Sequence, residues 1–243
     1  MTTFLDLWLL RPPSTGRGAT LVDASELDKD ERSRASAFIT PADRLLYRSA
    51  HIALRRVLAA YTGCAPAEVA FVREPCSGCG DLHGRPVLAG PAGQPQFSLS
   101  HTKGLVLIAV AAERVGVDVE RVPGAEVVEQ CTPSLHPGEA VEVGAAPPDG
   151  RRAAFGQIWA RKEAYLKGLG TGLNRDPKSD YLGADPVRRP VGWSVLDLAC
   201  GPGHHGAVAV RTKLSAPGAV RELPAHALHA GYRLPPPWRP LPA

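Results

Sequence analysis

The chain has 243 residues, 44% of them apolar, and a formal charge of +4 from 28 basic and 24 acidic side chains. That length suffices for one large domain or two small ones with their own cores, and the composition excludes a disordered chain. So small an excess of positive charge suits an anionic ligand or acidic partner but excludes a typical nucleic-acid binder. The opening segment, Met1 to Leu10, carries Asp6 and lacks a basic stretch, which argues against a signal peptide.

In chain order, Phe4–Leu10 is a predicted strand and Asp23–Phe38 a charged helix. Pro41 opens a longer helix running to Tyr61, with Leu46, Ala50, Ala53, Leu54, Val57, Leu58 and Tyr61 at helical spacing and Gly63 as its stop. Short strands are predicted at Val69–Arg73, Phe97–Ser100, Gly104–Ala112 and Val115–Glu120, with loop from Pro75 to Gln96. The longest apolar run, Leu105 to Ala112, is too short to span a membrane. After a break at Pro123–Gly124 come polar helical pieces and a helix over Arg151–Lys167. Strands follow at Trp193–Leu198, Ala207–Thr212 and near Ala225–Leu234, then a proline-rich extended tail from Pro235 to Ala243. This order predicts an α+β fold of two similar α/β lobes, residues 1–123 and 124–243. Five cysteines, an odd number, argue against a disulfide scaffold, and the chain is expected in the cytoplasm with no membrane or nucleic-acid partner.

Two acidic elements stand out. In Gly116-Val117-Asp118-Val119-Glu120, strand alternation puts Asp118 and Glu120 on one face and the valines on the other. Two carboxylates side by side repel each other unless a cation lies between them, and Mg²⁺ takes one or two carboxylates together with phosphate oxygens. An edge strand with a solvated polar face would read the same way. In Trp159-Ala160-Arg161-Lys162-Glu163-Ala164-Tyr165-Leu166-Lys167, helical spacing puts Trp159, Glu163 and Lys167 on one stripe and Arg161 on another face, as a neutral control. A surface Glu–Lys pair is the ordinary alternative.

Together the two segments, with some forty residues between them, resemble the paired signature of the Sfp-type 4′-phosphopantetheinyl transferases. Phe155, the Gly168–Leu173 segment, Phe97-Ser98-Leu99-Ser100-His101, Gly84-Arg85-Pro86 and Leu135-His136-Pro137-x-Glu139 resemble further family segments, with Ser98 where the family often has Asn. The resemblance covers roughly Lys29 to Leu173. It implies a pseudo-dimeric monomer that binds coenzyme A between its lobes and moves the 4′-phosphopantetheine arm onto a serine of an apo acyl or peptidyl carrier protein, releasing adenosine 3′,5′-bisphosphate. Such relatives commonly serve polyketide and nonribosomal peptide assembly.

The resemblance further implies that Asp118, Glu120 and Glu163 hold Mg²⁺. Glu163 and Lys167 would be catalytic, with Glu163 as base, metal ligand or both. Lys29, Arg32, Arg85, Ser100, His101, Lys162 and Lys167 would grip coenzyme A. Cys76-x-x-Cys79 with His83 offers three zinc ligands but no obvious fourth, and a tight turn that positions Arg85 is the preferred reading. The competing functions are a metal-dependent hydrolase of coenzyme A or another pyrophosphate, and a zinc-stapled binding module.

Overall fold

The computed structural model describes residues 4–13, 19, 21–76 and 78–235; the proline-rich tail expected at 235–243 lies, after Pro235, outside the described residues. Strand β1 (Leu5–Leu10) is followed by helices α1 (Lys29–Ser36) and α2 (Pro41–Thr62), strands β2 (Phe71–Arg73), β3 (Pro86–Leu88), β4 (Gln96–Thr102), β5 (Leu105–Ala111) and β6 (Val115–Arg121). The second half holds α3 (Ala125–Cys131), α4 (Pro137–Ala145), α5 (Arg151–Leu169), β7 (Ser194–Leu198), β8 (His204–Val210) and β9 (Val220–Leu223). The fold is α+β. No helix among the described residues is long and apolar enough to cross a membrane.

Local chemistry sets the helix ends. Thr40 caps α2 by accepting the Asp43 amide at 3.1 Å, and Pro41 sits in the first turn, where no N–H is needed. Gly63, at φ +74°, closes the helix in the left-handed conformation. The predicted helix over 23–38 is helical only from Lys29, because Asp28 and Glu31 form a capping box that starts it there. The apolar stripe of α2 packs on one face of β5 through Val106, Ile108 and Val110. Its fully buried arginines are an addition. Arg55 bonds Glu31 at 2.7 Å and Asp28 at 2.8 Å, fastening α1 to α2, and Arg56 grips Glu26 and the carbonyls of Ala227 and His229.

The strands form a four-stranded sheet in the order β4-β5-β1-β9 and a three-stranded sheet in the order β6-β8-β7, with β2 and β3 as a separate pair. The larger sheet borrows from the far end of the chain: β9 pairs parallel with β1, Leu7 opposite Val220. The strand expected near 225–234 is displaced to 220–223 because Pro224 lacks the N–H that would continue the ladder, and a 3₁₀ turn over Ala225–Leu228 follows.

The two sheets meet along β4 and β6. Here side chains satisfy strand amides: Val117 N donates to Ser98 Oγ at 3.0 Å and Val119 N to Ser100 Oγ at 3.3 Å. Behind the seam, Leu105 and Leu107 share a core with Val115, Val117 and Val119. The alternation read from the sequence therefore holds, with the valines inward and the acidic face turned to α5.

Candidate active site

The acidic face of β6 lies unusually close to α5. A Cβ at Gly116 would fall 2.0 Å from Ala164 O and 2.4 Å from Gly168 N, so only glycine lets the strand and helix backbones touch. That contact puts Asp118 beside Lys167. Gly116→Ala is expected to cost about 3 kcal/mol by overpacking against immovable backbone. Urea denaturation checks the stability loss.

Asp118 is 1% exposed. Its Oδ1 accepts from Lys167 Nζ at 2.6 Å and from Ser100 Oγ at 2.9 Å, while its Oδ2 is buried with no hydrogen-bond partner among the described residues. Lys167 Nζ also reaches Ser100 Oγ at 3.1 Å. Burial pushes the Glu120 carboxyl up to about 7, with Asp118 and Glu163 adding repulsion that Lys167 partly offsets. Glu163 is likewise raised by burial and by Asp118. Three carboxylates thus share one lysine in a half-buried place, and one buried oxygen lacks any donor. An added divalent cation would satisfy both the surplus charge and the orphaned oxygen. The carboxylates are not drawn into a closed cage: among the described residues, the trio with ligand atoms all within 4.8 Å is instead Cys76, Cys79 and His83. An open arrangement suits Mg²⁺, which keeps waters and substrate oxygens in its shell.

Lys167 also lines a cleft of about 1050 Å³ between the halves, walled by α1, the β2–β3 loop and the segment after α5. Arg85 lies on that wall, 8% exposed. It faces Glu74 at 3.5 Å and bonds Gln96, yet its Nε and Nη1 are buried without partners among the described residues. Two unpaired guanidinium donors make a receptor for an anion such as phosphate. Gly84 sets the turn, since a Cβ there would meet Glu74 O at 2.6 Å. His101 is held below the usual histidine range by burial and by the nearby His51 and Lys167 charges, which favours the neutral ring.

Residues 114–192, which include all four of Asp118, Glu120, Glu163 and Lys167, match the family model for the 4′-phosphopantetheinyl transferase superfamily. The chain is 29% identical over 195 residues to the 4′-phosphopantetheinyl transferase HetI of a Nostoc species, covering 77% of this chain and 79% of that one. A 4′-phosphopantetheinyl transferase of Bacillus subtilis is 26% identical over 69% of this chain and 70% of its own. The L-aminoadipate-semialdehyde dehydrogenase-phosphopantetheinyl transferase of Eremothecium gossypii is 35% identical over 70% of this chain, which covers 59% of that protein. Over most of its length the chain is similar to 4′-phosphopantetheinyl transferases, and residues 114–192 match the superfamily's model.

In this structure Asp118, Glu120, Glu163 and Lys167 are neighbours, and Arg85 lines the adjoining cleft. Four of the other expected ligands are placed differently. Lys162 is 2% exposed and its three protons go to Pro177 O at 2.8 Å, Asp180 O at 2.9 Å and Glu139 at 2.8 Å, so none is left for coenzyme A. Ser100 is saturated too: its hydroxyl donates to Asp118 and accepts from Val119 N and Lys167, so it positions the acid and joins the sheets. Lys29 and Arg32 are exposed and off the cleft, and Arg32 turns back to the Leu27 carbonyl. The cleft is lined instead by Asp30, Ser33 and Arg34 of the same helix. Arg34 is thus a cation on the cleft wall that the sequence reading did not single out, and no local signal marked it. Arg161 is no neutral control, since it forms a two-pronged pair with Asp197 at 2.6 and 2.5 Å.

Proposed function

We propose that this chain is an Sfp-type enzyme that transfers the 4′-phosphopantetheine arm of coenzyme A to a serine of an apo acyl or peptidyl carrier protein. On this reading it is a cytoplasmic monomer of two pseudo-symmetric lobes, residues 1–123 and 124–243, with one active site. The observation that carries it is the buried Asp118, with its orphaned Oδ2 and its bond to Lys167, at the edge of a cleft holding the half-free guanidinium of Arg85.

Asp118 and Glu120 would hold Mg²⁺, with Glu163 beside them. When bound, the ion supplies charge neutralisation at the pyrophosphate. Arg85 and Lys167 bind and orient the phosphates of coenzyme A. Glu163, its carboxyl raised above its ordinary value by burial and by Asp118, takes the proton from the carrier serine as that oxygen forms a bond to the β-phosphorus. The bond from phosphorus to the bridging oxygen breaks, and adenosine 3′,5′-bisphosphate leaves with the electron pair. Lys167 meets the charge that builds on the transferred phosphoryl group.

Incubation with coenzyme A, Mg²⁺ and an apo carrier, followed by mass spectrometry, tests this. The expected result is a carrier heavier by one phosphopantetheine and an equal yield of adenosine 3′,5′-bisphosphate. Cleavage of coenzyme A without carrier would identify a hydrolase instead, and inertness across a panel of carriers would leave a binding protein.

A further inference from the structure

The β2–β3 loop carries Cys76, Cys79 and His83, none of which has a part in phosphoryl transfer. One ligand atom from each lies within 4.8 Å of the others, and Cys79 Sγ stands 3.0 Å from His83 Nε2. Both cysteines are free thiols.

The backbone around them is closely organised. Cys76 N donates to Asp81 O at 2.7 Å, Gly80 N donates to Cys76 O at 2.9 Å, and Gly80 takes φ +82° to close the turn. Two N–H groups converge on the Cys76 sulfur: Gly78 N at 3.5 Å and Asn174 Nδ2 at 3.3 Å. A neutral thiol is a weak acceptor, whereas a thiolate is a good one, so such converging donors suit an anionic sulfur. Outer groups of this kind orient and tune metal ligands. Two thiolates in a C-x-x-C turn with one imidazole form a donor set for zinc and a poor one for Mg²⁺.

We infer that Cys76, Cys79 and His83 bind one Zn²⁺, separate from the carboxylate site. Asp81, whose Oδ2 lies 3.6 Å from Cys79 Sγ, or a water completes the tetrahedron. The tight turn preferred from the sequence is present, and the ion sits inside it. His83 is two residues before Arg85, and Asn174 comes from the segment after α5, so the ion staples the wall that presents Arg85. Cys76, His83, Arg85 and Asn174 all face the same cleft. Zinc thus holds a phosphate-binding arginine in register and takes no part in the chemistry.

The test uses untagged full-length protein, purified under a non-thiol reductant and dialysed against metal-free buffer. Elemental analysis is expected to find one zinc per chain. Cobalt substitution should give the thiolate-to-metal charge-transfer band and visible bands of a tetrahedral sulfur site. Competition with a chromophoric chelator should show zinc affinity falling by roughly a hundredfold or more in Cys79→Ser and in His83→Gln, beyond what loss of an outer-shell partner causes. Cys131→Ser, outside the loop, should bind as wild type does. Circular dichroism shows whether each variant is folded; if Cys79→Ser is not, the exposed His83→Gln and Asp81→Ala carry the comparison. Wild-type protein with no zinc and no cobalt spectrum overturns the proposal. So does equal zinc affinity in wild type and folded His83→Gln, or a Cys76–Cys79 disulfide in place of the metal. None of these readouts depends on transferase activity.

Discussion

Glu163→Gln protein will fold at least as stably as wild type in Mg²⁺-free buffer, yet its single-turnover transfer will be slower by roughly 10²–10⁴-fold. The sign of the stability effect follows from the geometry. Burial and Asp118 raise the Glu163 carboxyl above its ordinary value, so the ionised form is destabilising in the folded state at neutral pH. The neutral amide removes that repulsion, so melting in the absence of Mg²⁺ should occur at or above the wild-type temperature. Added Mg²⁺ should then protect wild type more than the variant. Lys167→Met should be slow for another reason, the loss of charge at the phosphate, and it leaves buried Asp118 with Ser100 as its remaining side-chain donor. Normal transfer by Glu163→Gln at limiting Mg²⁺ would sink this assignment.

Lys162→Met should do the reverse, unfolding the protein while sparing the chemistry. Glu139 is 0% exposed, and Lys162 is its sole charged partner among the described residues. The remaining donors to its carboxylate are amides, Leu182 N at 2.6 Å and His136 N at 2.9 Å. Removing one half of a buried pair costs about 3–5 kcal/mol, which is roughly 10 °C of melting temperature for a chain of this size. Glu139→Gln in the same background should recover part of the loss. At low temperature, where the variant is still folded, the KM for coenzyme A should match wild type. A raised KM with an unchanged melting temperature would restore Lys162 to the ligand set.

Much of the site was legible because it depends on short-range periodicity. Alternation along 116–120 put Asp118 and Glu120 together, and helical spacing put Glu163 and Lys167 on one stripe, four residues apart. Neither rule says which partner an individual side chain meets across the fold. Lys162, one residue from Glu163, points about 100° away round the helix, toward an acid on α4. The same limit hid Arg34: Lys29, Arg32 and Arg34 all lie on one short helix, and only its docking by Asp28 and Glu31 onto Arg55 fixes the face it turns to the cleft. Ser100 was expected at the nucleotide from the family resemblance, and nothing local reveals that it also satisfies an amide of β6 across the seam. The burial of Arg55 and Arg56 was equally unreadable, since their partners lie at residues 26–31, 66–69 and 227–229.

The pairing of β9 with β1 has a consequence for how the polypeptide is made. Leu5–Leu10 leaves the ribosome well before its parallel neighbour, Val220–Leu223, which lies far downstream in the chain. On its other side β1 waits only for β5, at Leu105–Ala111. For the time needed to synthesise about a hundred further residues, at roughly 5–20 residues per second, the nascent sheet therefore presents an unpaired edge formed by Leu7 to Leu10. Such an edge is a template for pairing with another chain. Nascent chains stalled before residue 220 should accordingly bind chaperones and aggregate, and those extended past Pro224 should resist protease at the amino-terminal strand.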